Sequence, residues 1–135
     1  MSFDTGDMEE AERLFLKALK TGHYQPDVIF FSLGKSRLKL KKFGLAYNSF
    51  ILAECFKHNK IEIVMGIASS LLGMSKQDAK CVNDNTSQIS AKKAIENALY
   101  HLNKGLFLDK NNTEILKLRE RCLLHRELLG DCAFS

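Results

Sequence analysis

The chain has 135 residues, of which 45% are hydrophobic and 27% are charged, and it carries a formal net charge of +4. This balance is typical of one soluble globular domain and excludes a wholly disordered chain. The single proline and the regular spacing of the apolar residues favour helices over strands.

Apolar residues at helical spacing predict six helices in chain order. The first covers residues 7 to 20, and the second, entered at Pro26, covers residues 28 to 40. After a turn at residues 41 to 44, the third helix extends to about residue 57. The remaining helices are predicted over residues 61 to 74, 90 to 108 and 113 to 130.

Polar residues and glycines set the expected ends of these helices. Asp7 and Thr113 are the expected N-caps, because their side chains accept hydrogen bonds from the free amides of a first turn. Gly22 and Gly130 mark the expected C-terminal ends. Residues 75 to 90 are polar and rich in Asn and Ser, which predicts a mobile loop.

No apolar stretch is long enough for a membrane span. The longest, IEIVMGIASSLLGM, contains Glu62 and is shorter than the roughly 20 residues that a bilayer requires. The four cysteines form no CxxC pair, and the opening MSFDTGDMEE lacks the basic and apolar regions of a secretory signal. We therefore expect reduced thiols, no membrane insertion and a cytoplasmic location, with the nucleus as the alternative.

Residues 27 to 60 combine small and aromatic side chains at regular spacing. The small ones let two helix backbones approach, and the aromatic ones fill the space between them. The pattern consists of Phe30, Leu33, Gly34, Phe43, Ala46, Phe50 and Ala53. It resembles the tetratricopeptide repeat, a helix–turn–helix unit of about 34 residues.

The resemblance implies an all-α fold in which antiparallel hairpins stack as a short right-handed solenoid. It implies a single domain over residues 1 to 135, with residues 27 to 60 as the clear repeat. Residues 7 to 20 then form a lone or capping helix, and residues 113 to 130 form a terminal helix. Residues 61 to 112 form a second repeat, which departs from the family by its inserted loop at residues 75 to 90.

In arrays of this family the first helix of each hairpin lines a concave groove, so the resemblance implies a scaffold or adaptor that binds a peptide segment of a partner protein. Apolar and basic residues coexist there, which favours a segment with apolar anchors and acidic flanks. The expected partner-binding residues are Val28, Phe31, Lys35, Leu38, Lys39, Met65, Ser69, Leu72, Lys117, Arg121 and Leu124. The alternative is that Phe31, Leu38 and Leu72 pack against a neighbouring helix.

The sequence predicts no catalytic, cofactor or metal site, and hence no enzymatic activity. No HExxH or GxSxG motif occurs, and Cys122-x-x-His125 lacks the second pair of ligands that zinc needs. Glu54 and His58 stand four residues apart, and we expect them to form an exposed ion pair on one helix.

Two other functions stay open. The basic stretch RLKLKK is suited to phosphate contacts, so a helical-repeat module that binds RNA is one alternative. Self-association is the other, because an array that begins with an unpaired helix exposes an apolar face on which a second copy can pack.

Overall fold

A computed structural model describes residues 5–22, 25–81 and 83–133. Over these residues the chain is helical and contains no strand, which confirms the all-α class. The helices are α1 (Thr5–Thr21), α2 (Pro26–Lys39), α3 (Phe43–Cys55), α4 (Lys60–Ala79), α5 (Asn85–Leu108) and α6 (Thr113–Ala133). Within these described ranges, no helix is both long and apolar enough to cross a bilayer.

The chain divides into two compact units at a point inside α4, between Ile67 and Ala68. In the first unit α2 packs against both α1 and α3, and in the second unit α5 packs against α6. The one-domain organisation expected from the sequence stays a prediction.

The ends of α1 and α2 follow the expected chemistry with one exception. Pro26 occupies the first turn of α2, where its missing N–H costs no hydrogen bond. Gly22 follows α1 with φ of +69°, a left-handed conformation that favours glycine. Asp7, however, lies inside α1 rather than before it, so its assignment as the N-cap is wrong.

The turn between α2 and α3 is shorter than predicted. It consists of residues 40 to 42, with Lys41 at φ of +61°, and α3 already begins at Phe43. Phe43 and Gly44 therefore belong to the first turn of α3.

The loop predicted over residues 75 to 90 is too long, because α4 continues to Ala79 and α5 begins at Asn85. Two polar side chains of this stretch satisfy helix ends. Asp84 is the N-cap of α5, since its carboxylate accepts from the Thr86 amide at 3.0 Å. Gln88 Nε2 donates to the carbonyl of Ala79 at 3.1 Å, at the end of α4.

Both expected ends of α6 also need correction. Asn112 Oδ1 accepts from the Ile115 amide at 3.0 Å, so Asn112 rather than Thr113 is the N-cap. At the other end α6 passes through Gly130 to Ala133. The buried stripe of α6 continues as far as Leu129, which is 4% exposed.

The core of the first unit is built around Phe50. Ala46, Phe50 and Ala53 are all fully buried, as the repeat pattern predicts. The Phe50 ring lies directly on two helix backbones: a Cβ placed on Gly34 of α2 would stand 2.7 Å from the ring, and one on Gly66 of α4 would stand 2.6 Å from it. Any side chain larger than hydrogen at either position would displace the ring.

We predict that Gly34→Ala destabilises the first unit, because the new methyl group overlaps the fully buried ring of Phe50. A cost of about 1 to 3 kcal/mol is typical of such overpacking. Urea unfolding followed by circular dichroism measures it. Gly130→Ala is the matched control, since Gly130 also lies in a helix and a Cβ added there would meet nothing within 4 Å.

The control is expected to be neutral or slightly stabilising, since alanine is the better helix former. Equal unfolding midpoints for the two variants would contradict the close packing of Phe50 on Gly34.

Candidate functional site

An apolar groove of about 550 Å³ lies between α1 and α2 in the first unit. We call it the α1–α2 groove, and its lining consists of Leu14, Phe15, Ala18, Gln25, Val28, Ile29 and Ser32. It is open to solvent, since Leu14 is 52% exposed and Val28 is 47% exposed. Its volume falls within the range of sites that hold small ligands or a few side chains of a peptide.

Two lysines continue the α2 wall of this groove. Val28, Ser32, Lys35 and Lys39 follow one another at spacings of four, three and four residues, which places them on one stripe of α2. The Lys35 Nζ lies 5.6 Å from the centroid of the Phe31 ring. Among the described residues, neither Lys35 nor Lys39 forms an ion pair with a carboxylate, so both charges are available to a partner.

Two other members of the basic stretch are already paired inside the fold. Arg37 Nε donates to one oxygen of Glu12 at 2.8 Å, and Lys42 Nζ donates to the other at 2.9 Å. Burial raises the pKa of Glu12, but the hydrogen bonds from Arg37 and Lys42 outweigh this effect and hold the pKa below its ordinary value. Arg37 also donates to Ser49 Oγ at 2.7 Å, so it joins α1, α2 and α3. The stretch RLKLKK is therefore not a uniformly solvated basic face.

His58, in the connection between α3 and α4, bridges two carboxylates. Its Nδ1 lies 2.9 Å from Asp27 Oδ2 on α2, and its Nε2 lies 2.6 Å from Glu62 Oε2 on α4. We call these three residues the histidine bridge. The imidazole stacks on Phe31 with 4.4 Å between the ring centroids. The expected pair of Glu54 with His58 is wrong, because both ring nitrogens of His58 face other carboxylates.

The predicted partner-binding residues of the first unit differ in exposure. Val28, Lys35 and Lys39 are exposed and share the stripe beside the α1–α2 groove, whereas Leu38 and Met65 are half-buried. Phe31 contacts the rings of Phe50 and His58. That packing agrees with the alternative interpretation of this residue.

In the second unit, Lys117, Arg121 and Leu124 are exposed and lie on one face of α6, and Ser69 is half-buried. Leu72 is only 3% exposed. The expectation that Leu72 is open to a partner is therefore wrong for this structure, and its packing alternative is correct.

The α1 wall of the groove was not predicted as a site. Leu14, Phe15 and Ala18 recur at helical spacing, and this spacing does not distinguish a wall of a groove from a face that packs in the core.

A second polar cluster lies buried in the second unit. Ser75 Oγ donates to the Ala91 carbonyl at 2.6 Å and lies 2.8 Å from His125 Nε2. Because the only hydroxyl proton of Ser75 goes to Ala91, His125 Nε2 must carry a proton and donate to Ser75. The imidazole therefore cannot act as a base toward this serine, and the arrangement is structural.

Burial governs the ionisation of this cluster. It lowers the pKa of His125, and nearby Lys76 lowers it further. Burial also raises the pKa of Cys122, one turn earlier on α6, to about 11, so its thiol stays protonated and unreactive near neutral pH. In the described part of the chain, no group of three or more His, Cys, Asp or Glu residues is placed to hold a metal ion.

No protein-family model, curated protein or solved structure matches the chain. The resemblance to the tetratricopeptide repeat therefore rests on the residue pattern alone.

We predict that His125 makes the second unit sensitive to mild acid. Its pKa in the folded state lies below the ordinary value of 6.5, so its contribution to stability is present above pH 6.5 and is lost as the pH falls toward the folded pKa. Urea unfolding between pH 5 and 7 should show stability rising with pH, and the slope should be smaller in His125→Gln.

The histidine bridge does not obscure this test. The pKa of His58 is raised, so its own contribution changes above pH 6.5 rather than below it. An unchanged slope in His125→Gln would contradict the burial of a neutral imidazole.

Proposed function

We propose that the chain is a protein-interaction module that binds a peptide segment of a partner protein in the α1–α2 groove. The observation that carries the proposal is the combination of an open apolar groove with two unpaired lysines on the same stripe of α2. Apolar side chains of the partner enter the groove, and acidic side chains meet Lys35 and Lys39.

The spacing along α2 defines the segment that fits. With a helical rise of about 1.5 Å per residue, Lys35 lies roughly 10 Å and Lys39 roughly 16 Å along the helix from Val28. An extended peptide advances about 3.3 Å per residue, so its acidic residues should stand about three to five residues from its apolar anchor.

Binding is proposed rather than catalysis because, among the described residues that line the groove, none carries a titratable side chain. A binder of RNA is a weaker candidate, since Arg37 and Lys42 are already paired with the Glu12 carboxylate, which would repel phosphate. The packing of Phe50 on Gly34 and Gly66 supports a tetratricopeptide-like arrangement of α2, α3 and α4 as the scaffold of this module.

The test begins with peptides selected from a random display library on the intact chain. We expect the enriched peptides to carry an apolar anchor with acidic residues three to five positions away. Reversal of both charges in Lys35→Glu/Lys39→Glu should lower the affinity for the best peptide at least about tenfold, because attraction between the lysines and the acidic residues of the peptide becomes repulsion. Isothermal titration calorimetry measures the affinity.

Lys80→Glu/Lys110→Glu is the matched control, since it changes the net charge equally at two exposed lysines outside the groove. It should leave the affinity unchanged. The proposal fails if selection enriches peptides without acidic residues, or if both double variants bind equally well. A steep loss of RNA binding with rising salt, or a groove-dependent dimer in light scattering, would favour the alternatives instead.

A further inference from the structure

The histidine bridge joins α2 to α4 through His58 of the α3–α4 connection. Asp27 belongs to the first turn of α2, and Glu62 belongs to the first turn of α4. The side chain of His58 is 12% exposed, that of Asp27 is 24% exposed and that of Glu62 is 52% exposed. The bridge is thus partly shielded from water on the Asp27 side and open on the Glu62 side.

The geometry fits the protonated imidazole. Both ring nitrogens lie within hydrogen-bond distance of carboxylate oxygens, and an ionised carboxylate can only accept. A neutral imidazole has one N–H and can satisfy only one of the two. After deprotonation the other nitrogen would face a carboxylate oxygen with a lone pair, and these atoms would have to separate.

The charges around His58 favour the same protonation state. Asp27 faces it from α2 and Glu62 faces it from α4, while α3 supplies the Ala53 carbonyl, which accepts from the His58 amide at 3.1 Å. Lys35 contacts the Phe31 ring on which the imidazole stacks. Burial lowers the pKa of His58, but the hydrogen bonds to Asp27 and Glu62 outweigh burial, so the pKa lies above its ordinary value.

The bridge adjoins the wall of the α1–α2 groove. Asp27 immediately precedes Val28, and Phe31 immediately precedes Ser32, and both Val28 and Ser32 line the groove. A contact that fixes Asp27 and Phe31 therefore also fixes the turn of α2 on which the wall is built.

We propose that protonated His58 holds the α2 wall of the groove in place, and that loss of its proton releases Glu62 and weakens peptide binding. This inference rests on the proposed function of the groove. Glu62 is the partner that leaves, because it is the more exposed carboxylate and water can replace its hydrogen bond. His58 then keeps its bond to Asp27, but α2 loses the polar link that holds its first turn to α4.

The first experiment does not need a peptide. In the full chain labelled for NMR, the methyl signals of Val28 and Ile29 are followed from pH 6 to 9 beside the ring signals of His58. We expect the methyl signals to move with the same midpoint as His58, a midpoint above 6.5. Glu62→Gln should lower that midpoint, and His58→Gln should abolish the movement.

His101→Gln is the matched control, because His101 lies on α5 in the second unit. It should leave the titration of Val28 and Ile29 intact. The inference is overturned if these methyl signals do not move while His58 titrates.

The second experiment measures the affinity of the selected peptide at pH 6 and pH 8.5. The carboxylates of the peptide stay ionised over this range, and comparison with His58→Gln isolates the contribution of His58. We expect at least threefold weaker binding at pH 8.5, and no pH effect in His58→Gln.

The two failures are distinguishable. Co-titration of the wall with His58 but no peptide binding would overturn the proposed function and leave the coupling standing. The coupling alone would be overturned if peptide binding depends on Lys35 and Lys39 but not on pH, and if the methyl signals of Val28 and Ile29 do not move.

Discussion

The first unit depends on the contact between one aromatic ring and two glycines. Phe50 is fully buried, and its ring occupies the space where Gly34 and Gly66 would otherwise carry side chains. Two helices, α2 and α4, are thereby held against α3 at backbone distance. With α2 fixed in this way, its outward residues are free to form the α1–α2 groove and the stripe that continues to Lys39.

Charge pairing then decides which basic residues stay available. Glu12 on α1 pairs with Arg37 and Lys42, which engages both cations within the first unit and joins α1 to α2. Asp27 and Glu62 are taken by His58. Lys35 and Lys39 are left beside the groove, so the same acidic residues that stabilise the first unit also leave positive charge at its open site.

Spacing alone predicted the class of fold and the centre of the first unit. The helical repeat of apolar residues indicated six helices, and the positions of Ala46, Phe50 and Ala53 indicated the buried face of α3. The loop at residues 75 to 90 was predicted too long because Asn, Ser and Asp act as helix caps as readily as they form loops. Composition cannot separate these roles, since they depend on which backbone amides lie within reach.

The site was only partly predictable for a similar reason. Val28, Lys35 and Lys39 share a stripe that helical spacing alone reveals. His58 pairs with Asp27, 31 positions before it, and with Glu62, four positions after it. This pairing depends on how α2 and α4 pack in the first unit. The burial of Leu72 likewise follows from packing that no local pattern specifies.

Mapping a selected peptide onto the backbone amide signals of the chain tests the proposed groove most directly. The largest chemical-shift changes should fall on Leu14 and Ala18 of α1 and on Val28, Ser32 and Lys35 of α2. Changes confined to the exposed face of α6 around Arg121 and Leu124, or spread evenly over both units, would contradict a binding site between α1 and α2.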